Sequence, residues 1–358
     1  MLVSERGMKL LITIGRRSEI IKTAALIEEL RKRGIKFVLV DVQQDRGWFM
    51  KGAHYLYLRY PKPHHVIKFT GPDIESSTME LFDIINEERP TYVIAAGHSK
   101  TVLSTAIASN IAKVPFLHIE SGYRTYDLND EEEIRRHLID SFSSICYAPT
   151  RNAYENLLNE GYDRDKVNLA GSTVVDVLLR FADIAREDPK ILGELDLKGD
   201  EYCLLTLHKP INVTKNRLNE LLKAIESVDK FFIMPVHPET KYMLRSANLY
   251  DKFFKADNIL MLEPLDYIDF ITLELFSSLV ITDSGTVSEE AACLGKPVLI
   301  LGKPTRMELI KEGVALVSDL KKDDIREKIE KMSKLNVKSK RWKIIKIFGE
   351  SLASERII

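Results

Sequence analysis

The segment VITDSGTVSEEAACLGKPVLIL, residues 280–301, carries the clearest chemical pattern in the chain. An apolar run ends at Asp283, and Ser-Gly-Thr then turns into a helical pattern. The unpaired N–H groups and positive dipole end of such a helix favour a diphosphate beside Ser284 and Gly285. Glu290, farther along the helix, has two acceptor oxygens that suit a ribose diol. Neither a Walker loop nor a G-x-G-x-x-G fingerprint occurs intact in the sequence, which disfavours an ATPase or an NAD-dependent dehydrogenase.

A second cluster, GRRSE at residues 15–19, follows the first apolar run. Gly15 permits a tight turn, and Arg16 and Arg17 place fixed positive charge beside the start of a helix, which suits an anion. A solvated strand–helix turn capped by Ser18 fits the same residues equally well. The pentapeptide alone leaves both interpretations open.

Two segments carry acids that could transfer a proton. In HIESG, residues 118–122, Glu120 lies near the end of an apolar run, where a carboxylate needs a partner or a function. In DEEEIRRHLID, residues 130–140, Glu132 and Arg136 are four residues apart and share one helix face. The ordinary interpretation of the second segment is a solvated helix start whose acids complement the dipole. An acid and a base presented together is the alternative.

Three histidines each follow an apolar run: His98 in VIAAGHSKT, His208 in TLHKP and His237 in PVHPE. A single histidine at such a place is more often structural than catalytic. Two at equivalent places in the same half of the chain favour a cleft lined with imidazole. His98 by itself leaves a packing role and a catalytic role open.

Short runs rich in Val, Ile and Leu alternate with helical patterns, such as residues 20–34 and 216–228, along almost the whole chain. Continuous apolar runs are typical of parallel strands that are buried on both faces. The alternation predicts right-handed crossovers and doubly wound α/β sheets. The predicted strands are residues 9–15, 36–42, 91–97, 115–121, 145–150, 202–208, 231–236, 258–264, 279–284, 297–301 and 314–318.

A charged stretch at residues 186–201 interrupts the alternation and indicates a domain boundary. We predict an N-terminal domain over residues 1–185, a C-terminal domain over 186–340, and a last segment, 341–358, that is helical after Gly349 and crosses back to the N-terminal domain. Two such domains facing each other would place the carboxyl ends of their strands along one central cleft, where ligands bind.

Composition restricts the protein class. Of 358 residues, 45% are hydrophobic and 29% charged, as in globular proteins. The formal charge of -1 disfavours a dedicated surface for nucleic acid or membrane, and no apolar run approaches the roughly 18 residues of a membrane helix. The N-terminal run lacks a small-residue cleavage site, so we interpret it as a strand and not a signal peptide. Three widely spaced cysteines in apolar contexts predict buried thiols in an intracellular protein.

Eight motifs, in order and spanning almost the whole chain, resemble those of the non-hydrolysing UDP-N-acetylglucosamine 2-epimerases. GRRSEIIKTAALI is similar to the family's Gly-Thr-Arg-Pro-Glu opening with its Ile-Lys, and HIESGYRT to its His-Val-Glu-Ala-Gly-Leu-Arg-Thr. EEEIRRHLID resembles Pro-Glu-Glu-x-Asn-Arg, GSTVVDVL resembles Gly-Asn-Thr-Val-x-Asp, and TLHKPIN resembles Thr-x-His-Arg-Arg-Glu-Asn. PVHP is shared, ITDSGTVSEEAACLGKPVLIL is similar to Thr-Asp-Ser-Gly-Gly-x-x-Glu-Glu, and TRMELIKEG is similar to Arg-Pro-Glu…Gly.

The resemblance implies two Rossmann-like domains in the architecture of B-type glycosyltransferases. It implies a cytoplasmic homodimer that interconverts UDP-GlcNAc and UDP-ManNAc in nucleotide-sugar metabolism and polysaccharide biosynthesis, with no cofactor and no metal. The reaction eliminates UDP to leave a 2-acetamidoglucal and re-adds UDP after the face at C2 has changed. The implied catalytic residues are Lys22, His98, Glu120, Glu132, Arg136 and His208. The implied substrate-binding residues are Arg17, His237, Ser284, Gly285, Thr286, Glu290 and Arg306.

The sequence departs from the family pattern mainly on the sugar side. GHS stands where the family has Gly-Asp-Thr, so His98 replaces a carboxylate. TLHKP lacks the paired arginines, GRRSE lacks the family's Thr and Pro, and residues 43–75 match poorly. Three alternatives to ordinary epimerisation therefore stay open: an altered UDP-sugar, a hydrolysing enzyme that releases ManNAc and UDP, and a UDP-sugar-binding protein without catalysis. A glycosyltransferase is disfavoured because it would not explain the motifs of the N-terminal half.

Overall fold

The computed structural model describes residues 7–44, 60–68 and 74–358. The charged start of the N-terminal segment and two parts of the poorly matching stretch 43–75 lie outside the described residues. The described chain divides into two compact units, each with its own parallel sheet.

Unit 1 contains the described residues up to Val177 together with Ile347–Ile358. All strands of its sheet run parallel, in the order β3-β2-β1-β4-β5-β6-β7. The strands are β1 (Lys9–Ile14), β2 (Lys36–Asp41), β3 (His65–Val66), β4 (Tyr92–Ala96), β5 (Phe116–Ile119), β6 (Ile145–Ala148) and β7 (Val167–Leu169).

Unit 2 is Leu178–Lys346. Its sheet is also parallel throughout, in the order β10-β9-β8-β11-β12-β13. The strands are β8 (Tyr202–Thr206), β9 (Phe231–Pro235), β10 (Ile259–Leu262), β11 (Leu279–Thr282), β12 (Val298–Leu301) and β13 (Ala315–Ser318).

Helices follow almost every strand. In and around unit 1 they are α1 (Arg17–Lys32), α2 (Ile74–Glu88), α3 (Lys100–Ile111), α4 (Glu131–Phe142), α5 (Arg151–Asn159) and α6 (Thr173–Glu187). Unit 2 contains α7 (Lys190–Glu194), α8 (Lys215–Glu226), α9 (Pro238–Ser246), α10 (Tyr250–Phe254), α11 (Tyr267–Phe276), α12 (Gly285–Leu294), α13 (Met307–Lys311) and α14 (Lys322–Met332). The chain ends with α15 (Arg341–Ile347) and α16 (Ala353–Ile357).

Every strand predicted from an apolar run is present, and both units are doubly wound and Rossmann-like, as predicted. Two further strands, β3 and β7, have no counterpart in the sequence patterns. Both lie at sheet edges, and β7 has one buried residue and two exposed residues, so no apolar run marks it. α15 is also additional to the helical pattern expected after Gly349.

Apolar side chains from strands and helices form a core in each unit. In unit 1, Leu11 and Val93 from the sheet pack with Val102 of α3. In unit 2, Leu205 and Leu221 belong to one buried cluster that joins the sheet to α8. Each such side chain contributes about 1.5–3 kcal/mol when it leaves water, so these clusters stabilise the packing of helices on each sheet.

The strand order reverses once in each sheet, and the candidate residues lie at those places. In unit 1 the reversal lies between β1 and β4, which lead into the loops that carry Arg17 and His98. In unit 2 it lies between β8 and β11, which lead to His208 and Ser284. Open α/β sheets bind ligands at such switch points.

The C-terminal segment belongs to unit 1. Both carboxylate oxygens of Asp176 accept backbone N–H groups of α16, from Ala353 at 3.1 Å and Ser354 at 2.7 Å. The two divisions between the units lie inside α6 and α15. The domain extents 1–185, 186–340 and 341–358 therefore stay a prediction.

The remaining sequence-based expectations concern cysteines and membranes. All three cysteines, Cys146, Cys203 and Cys293, are free thiols and are buried. Burial raises the pKa of Cys146 to about 12 and that of Cys203 to about 11. Among the described helices, none combines the length and the apolar character needed to cross a membrane.

Candidate active site

A buried ion pair lies at the end of β5 in unit 1. Lys22 Nζ on α1 is 2.5 Å from Glu120 Oε2, and the two side chains are 4% and 3% exposed. Glu120 has a φ of +74°, in the left-handed region that a residue with a side chain occupies at a cost. Gly97, at the end of β4, has a φ of +93°, and a Cβ there would lie 3.0 Å from Lys22 Nζ. The backbone conformations of Glu120 and Gly97 thus allow the two strand ends to accommodate this ion pair.

His98, Glu132 and Arg136 form a second cluster in the same unit. His98 Nε2 lies 3.4 Å from Glu132 Oε2 and 3.4 Å from Arg136 Nη2. Arg136 Nη2 also donates to Glu132 Oε2 at 3.2 Å, across one turn of α4. The acid and the base that the i,i+4 spacing suggested therefore lie together, with an imidazole beside them.

His98 is expected to stay neutral at physiological pH. Burial and the nearby Arg136 guanidinium lower its pKa from 6.5 to about 3. The unfolded chain therefore binds the proton more readily between these values, and stability falls as the pH drops below 6.5. We expect NMR of labelled His98 to show a neutral ring down to about pH 4, and His98→Asn to flatten that part of the stability curve. A midpoint near 6.5 in the folded protein would contradict this expectation.

The acidic start of α4 is only partly a solvated face. Glu131 is 84% exposed, as the ordinary interpretation expects, and Asp130 caps the helix by accepting from Glu132 N. Glu133 is fully buried and accepts the backbone N–H groups of Thr125 and Tyr126. Burial works against ionisation, but those amides and Arg136 hold the pKa of Glu133 below its ordinary value. The solvated interpretation is therefore wrong for Glu133, which closes the preceding loop.

The turn between β1 and α1 is closed by Glu19. Its carboxylate accepts from Gly15 N at 2.7 Å and Arg16 N at 3.1 Å, and burial raises its pKa. Arg16 is the residue before the helix, and Arg17 begins it. The interpretation in which Ser18 caps this helix is therefore wrong, because Ser18 lies inside it.

In unit 2, Asp283 organises the loop that carries His208. Its fully buried carboxylate accepts from Lys209 N at 2.9 Å and Asn212 Nδ2 at 3.2 Å, and lies 3.1 Å from His208 Nδ1. Although burial opposes ionisation, the His208 ring and the Lys209 amide hold the pKa of Asp283 below its ordinary value. The short contact with the Asp283 carboxylate fixes the orientation of the His208 ring, and Nε2 lies on the opposite side of the ring.

His237 lies beside His208, with their ring centroids 5.7 Å apart. His237 is the N-cap of α9, and its Nδ1 accepts from Glu239 N at 3.3 Å. The two strand-end histidines of this unit therefore lie side by side. That they line a binding cleft stays a prediction.

The N-terminus of α12 is packed against Arg306. Ser284 caps the helix by accepting from Val287 N, and Thr286 follows in its first turn. Arg306 is buried, with Nε 3.2 Å from Glu289 Oε2. A Cβ on Gly285 would lie 2.2 Å from Arg306 Nη1, so glycine lets the guanidinium approach the helix start. An arginine and free helix N–H groups at one place form a setting for phosphate oxygens.

Glu290, one turn farther into α12, is buried and accepts from the Tyr267 hydroxyl at 2.7 Å. The phenol fixes one carboxylate oxygen, which orients the side chain. No group of three or more His, Cys, Asp or Glu residues within the described ranges is arranged to hold a metal.

Comparison with known proteins decides the family. The family model described as UDP-N-acetylglucosamine 2-epimerase matches residues 61–358. This chain belongs to the UDP-N-acetylglucosamine 2-epimerase family. A relative with that name from Methanocaldococcus jannaschii is 34% identical, over 98% of each chain.

A solved structure and one further relative extend the comparison. The crystal structure of the M. jannaschii UDP-GlcNAc 2-epimerase in complex with UDP-GlcNAc and UDP matches with a TM-score of 0.91 at 32% identity, covering 98% of each chain. A UDP-2,3-diacetamido-2,3-dideoxy-D-glucuronate 2-epimerase from Pseudomonas aeruginosa is 30% identical over 89% of this chain and 91% of its own. Proteins named for different UDP-sugars are thus similar to this chain.

Several residues that shape the site were not singled out from the sequence. Asp283 stands inside the recognised motif, directly before Ser284, so its place after a strand was a usable signal. His118, next to Glu120, reaches Asp140 on α4, and no spacing rule links those two positions.

Proposed function

We propose that this epimerase-family protein inverts C2 of UDP-N-acetylglucosamine to give UDP-N-acetylmannosamine, or acts on a closely related UDP-sugar. The observation that carries the proposal is the buried Lys22–Glu120 pair beside the His98, Glu132 and Arg136 cluster. A carboxylate positioned at the reacting carbon can remove and return a proton, which typically contributes about 10²–10⁴-fold to the rate. The relative from M. jannaschii is named for this substrate and was solved with it.

The reaction requires a base, stabilisation of the leaving group, and exclusion of water from the glycal intermediate. The Glu120 carboxylate takes the C2 proton, and the electrons of that C–H bond form the C1=C2 bond of a glycal. The C1–O bond breaks, and UDP leaves with the electron pair of that bond. Re-addition of UDP at C1 and of a proton on the other face of C2 gives the epimer. Lys22 and Arg136 would stabilise the negative charge that develops on the sugar.

We assign binding of the UDP part of the substrate to unit 2. Ser284, Gly285 and Thr286, at the start of α12, would hold the diphosphate together with Arg306 and His208. In unit 1, Arg17, which begins α1, would be a further substrate-binding residue. His237 would bind beside His208. Glu290 would accept both ribose hydroxyls, with its position fixed by Tyr267. The proposal needs no metal and no redox cofactor.

The incubation of pure protein with UDP-GlcNAc, followed by anomeric ¹H NMR, tests the proposal. We expect a reversible mixture of UDP-GlcNAc and UDP-ManNAc that reaches the same ratio from either side. Free ManNAc with stoichiometric UDP would instead identify the hydrolysing reaction. Tight UDP binding without turnover would identify the non-catalytic alternative, and His98→Asp would then be expected to gain activity. A parallel incubation with UDP-2,3-diacetamido-2,3-dideoxy-D-glucuronate tests whether the protein accepts the UDP-sugar for which the Pseudomonas relative is named.

We further propose that the protein is a cytoplasmic homodimer that supplies UDP-ManNAc for polysaccharide biosynthesis, as the family resemblance implies. Sedimentation velocity tests the assembly, since a dimer doubles the mass of 41.0 kDa. A monomer at micromolar concentration would contradict it.

A further inference from the structure

Asp140 contacts residues that precede and residues that follow Glu120 in the sequence. Its buried carboxylate lies 2.7 Å, through Oδ1, from His118 Nδ1. Oδ2 accepts from Gly122 N at 3.1 Å and lies 2.8 Å from Arg124 Nη2. One side chain of α4 thus holds residues two before, two after and four after Glu120. We call Asp140, His118, Gly122 and Arg124 the Asp140 clamp.

The His118 ring extends the clamp to the neighbouring strand. Its Nε2 lies 2.7 Å from the carbonyl oxygen of Gly97, the residue before His98. Gly97 faces the catalytic pair, because a Cβ there would lie 3.0 Å from Lys22 Nζ and 3.5 Å from Glu120 Oε2. The His118 ring therefore links the end of β5 to the end of β4, next to the Lys22–Glu120 pair.

Both ring nitrogens of His118 have partners in the chain. Nδ1 lies 2.7 Å from Asp140 Oδ1 and Nε2 lies 2.7 Å from the Gly97 carbonyl oxygen, so the orientation of the ring is fixed. The Ser121 hydroxyl, which donates to the His118 carbonyl, lies 2.9 Å from Nδ1. On the other side of the clamp, Glu160 accepts from Arg124 through both carboxylate oxygens.

Glu120 needs such support because its backbone is strained. A left-handed conformation costs a residue with a side chain roughly 1–2 kcal/mol, and Glu120 has a φ of +74°. Hydrogen bonds at both ends of the segment from His118 to Gly122 hold that conformation in place. The strain turns the carboxylate towards Lys22, where the proposed chemistry takes place.

We propose that Asp140 and His118 are positioning residues for Glu120: the clamp fixes the carboxylate in its strained, proton-transferring orientation without touching the substrate. This inference rests on the proposed epimerase function for its kinetic consequence and on geometry alone for its structural one. A misplacement of about 1 Å at a reacting group costs about 10²-fold in rate. UDP would be held by unit 2, so loosening the clamp should lower kcat and leave KM nearly unchanged.

The experiment compares Asp140→Asn with Asp176→Asn in the full-length protein. The control residue lies in the same unit and is also a helix aspartate, but its carboxylate accepts two backbone N–H groups of α16. We expect Asp140→Asn to lower kcat about 10²-fold with KM changed less than about threefold, and Asp176→Asn to change neither. Glu160→Gln weakens the clamp from its outer end and should lower kcat by a smaller factor, even if Asp140→Asn fails to fold. The proposal would be overturned if all three variants kept the wild-type kcat, or if Asp140→Asn raised KM and left kcat unchanged.

A spectroscopic readout separates the clamp from the function. In ¹⁵N-histidine NMR we expect the ring-nitrogen chemical shifts of His118 to change in Asp140→Asn, because that variant alters the partner of Nδ1, and to stay unchanged in Asp176→Asn. An inactive wild-type protein with this response would refute the proposed function and support the clamp geometry. An active wild-type protein whose His118 shifts do not respond to Asp140→Asn would support the function and overturn the clamp.

Discussion

The variant Glu120→Gln is expected to lower the epimerase turnover number by about 10²–10⁴-fold and to destabilise the fold by about 3–5 kcal/mol. The rate falls because the amide cannot take the C2 proton. The stability falls because Lys22, 4% exposed and 2.5 Å from the carboxylate, becomes a buried charge without its counter-ion. Steady-state kinetics and urea unfolding measure the two effects separately.

A double variant separates the chemistry from the fold. Lys22→Met with Glu120→Leu removes both charges and fills the space with apolar atoms, which in buried ion pairs is often neutral or stabilising. We expect stability near that of the wild type and turnover no better than that of Glu120→Gln. Recovery of activity in the double variant, or retention of full activity in Glu120→Gln, would show that this pair does not carry the chemistry.

The variant Asp283→Asn is expected to weaken UDP binding at least about tenfold and to destabilise unit 2 by about 1.5–3 kcal/mol for each charged hydrogen bond it loses. The carboxylate of Asp283 receives two backbone amides and the Asn212 side chain, and it orients the His208 ring. An asparagine there turns an NH₂ group towards donors, so one of them loses its partner. Isothermal titration with UDP and thermal unfolding measure the losses.

The pH dependence supplies a second signature of Asp283. Its folded-state pKa lies below the ordinary value of 3.8, so its stabilising contribution is present above that pH and is lost as the pH falls through the lower value. Asp283→Asn should remove this acid-side loss. Asp266→Asn, in the N-cap of α11, is the matched control, because asparagine caps a helix as well as aspartate. If both variants bind UDP as the wild type does, Asp283 does not organise the loop.

The sheets could be predicted because their strands are buried on both faces. Runs such as KLLITIG and LVITDS carry no alternation, and each became a parallel strand with nearly every side chain buried. β3 and β7 could not be predicted, since edge strands of two and three residues bury too little to leave a pattern. Their place is fixed by pairing with β2 and β6, which only the folded sheet supplies.

The candidate site was predictable where one element carries the whole signal. Glu132 and Arg136 share one face of α4, and Ser284 caps α12 directly after a strand. Asp140 was not predictable, because its contacts to His118 and Gly122 depend on how α4 packs on the sheet. Capping by Glu19 was missed in favour of Ser18 because a short polar residue is the commoner cap.

The structure limits what the His98 side chain can do at a position where the resembled family has a carboxylate. The resemblance predicts a lost carboxylate there, and the structure adds a neutral imidazole 3.4 Å from both Glu132 and Arg136. Both contacts involve Nε2, which either donates to Glu132 or accepts from Arg136, so the tautomer decides which neighbour a neutral ring orients. We infer that any change in sugar preference at this position comes from hydrogen bonding and not from electrostatics.

Solvent exchange at C2 tests the central claim most directly. Wild-type protein is incubated with UDP-GlcNAc in D₂O, and the recovered UDP-sugars are examined by ¹H NMR and mass spectrometry, with Glu120→Gln alongside. The account predicts one deuterium at C2 of the UDP-ManNAc formed, and no exchange in the variant while UDP-GlcNAc still binds. UDP-ManNAc that retains its C2 hydrogen, or exchange that persists without Glu120, would contradict it.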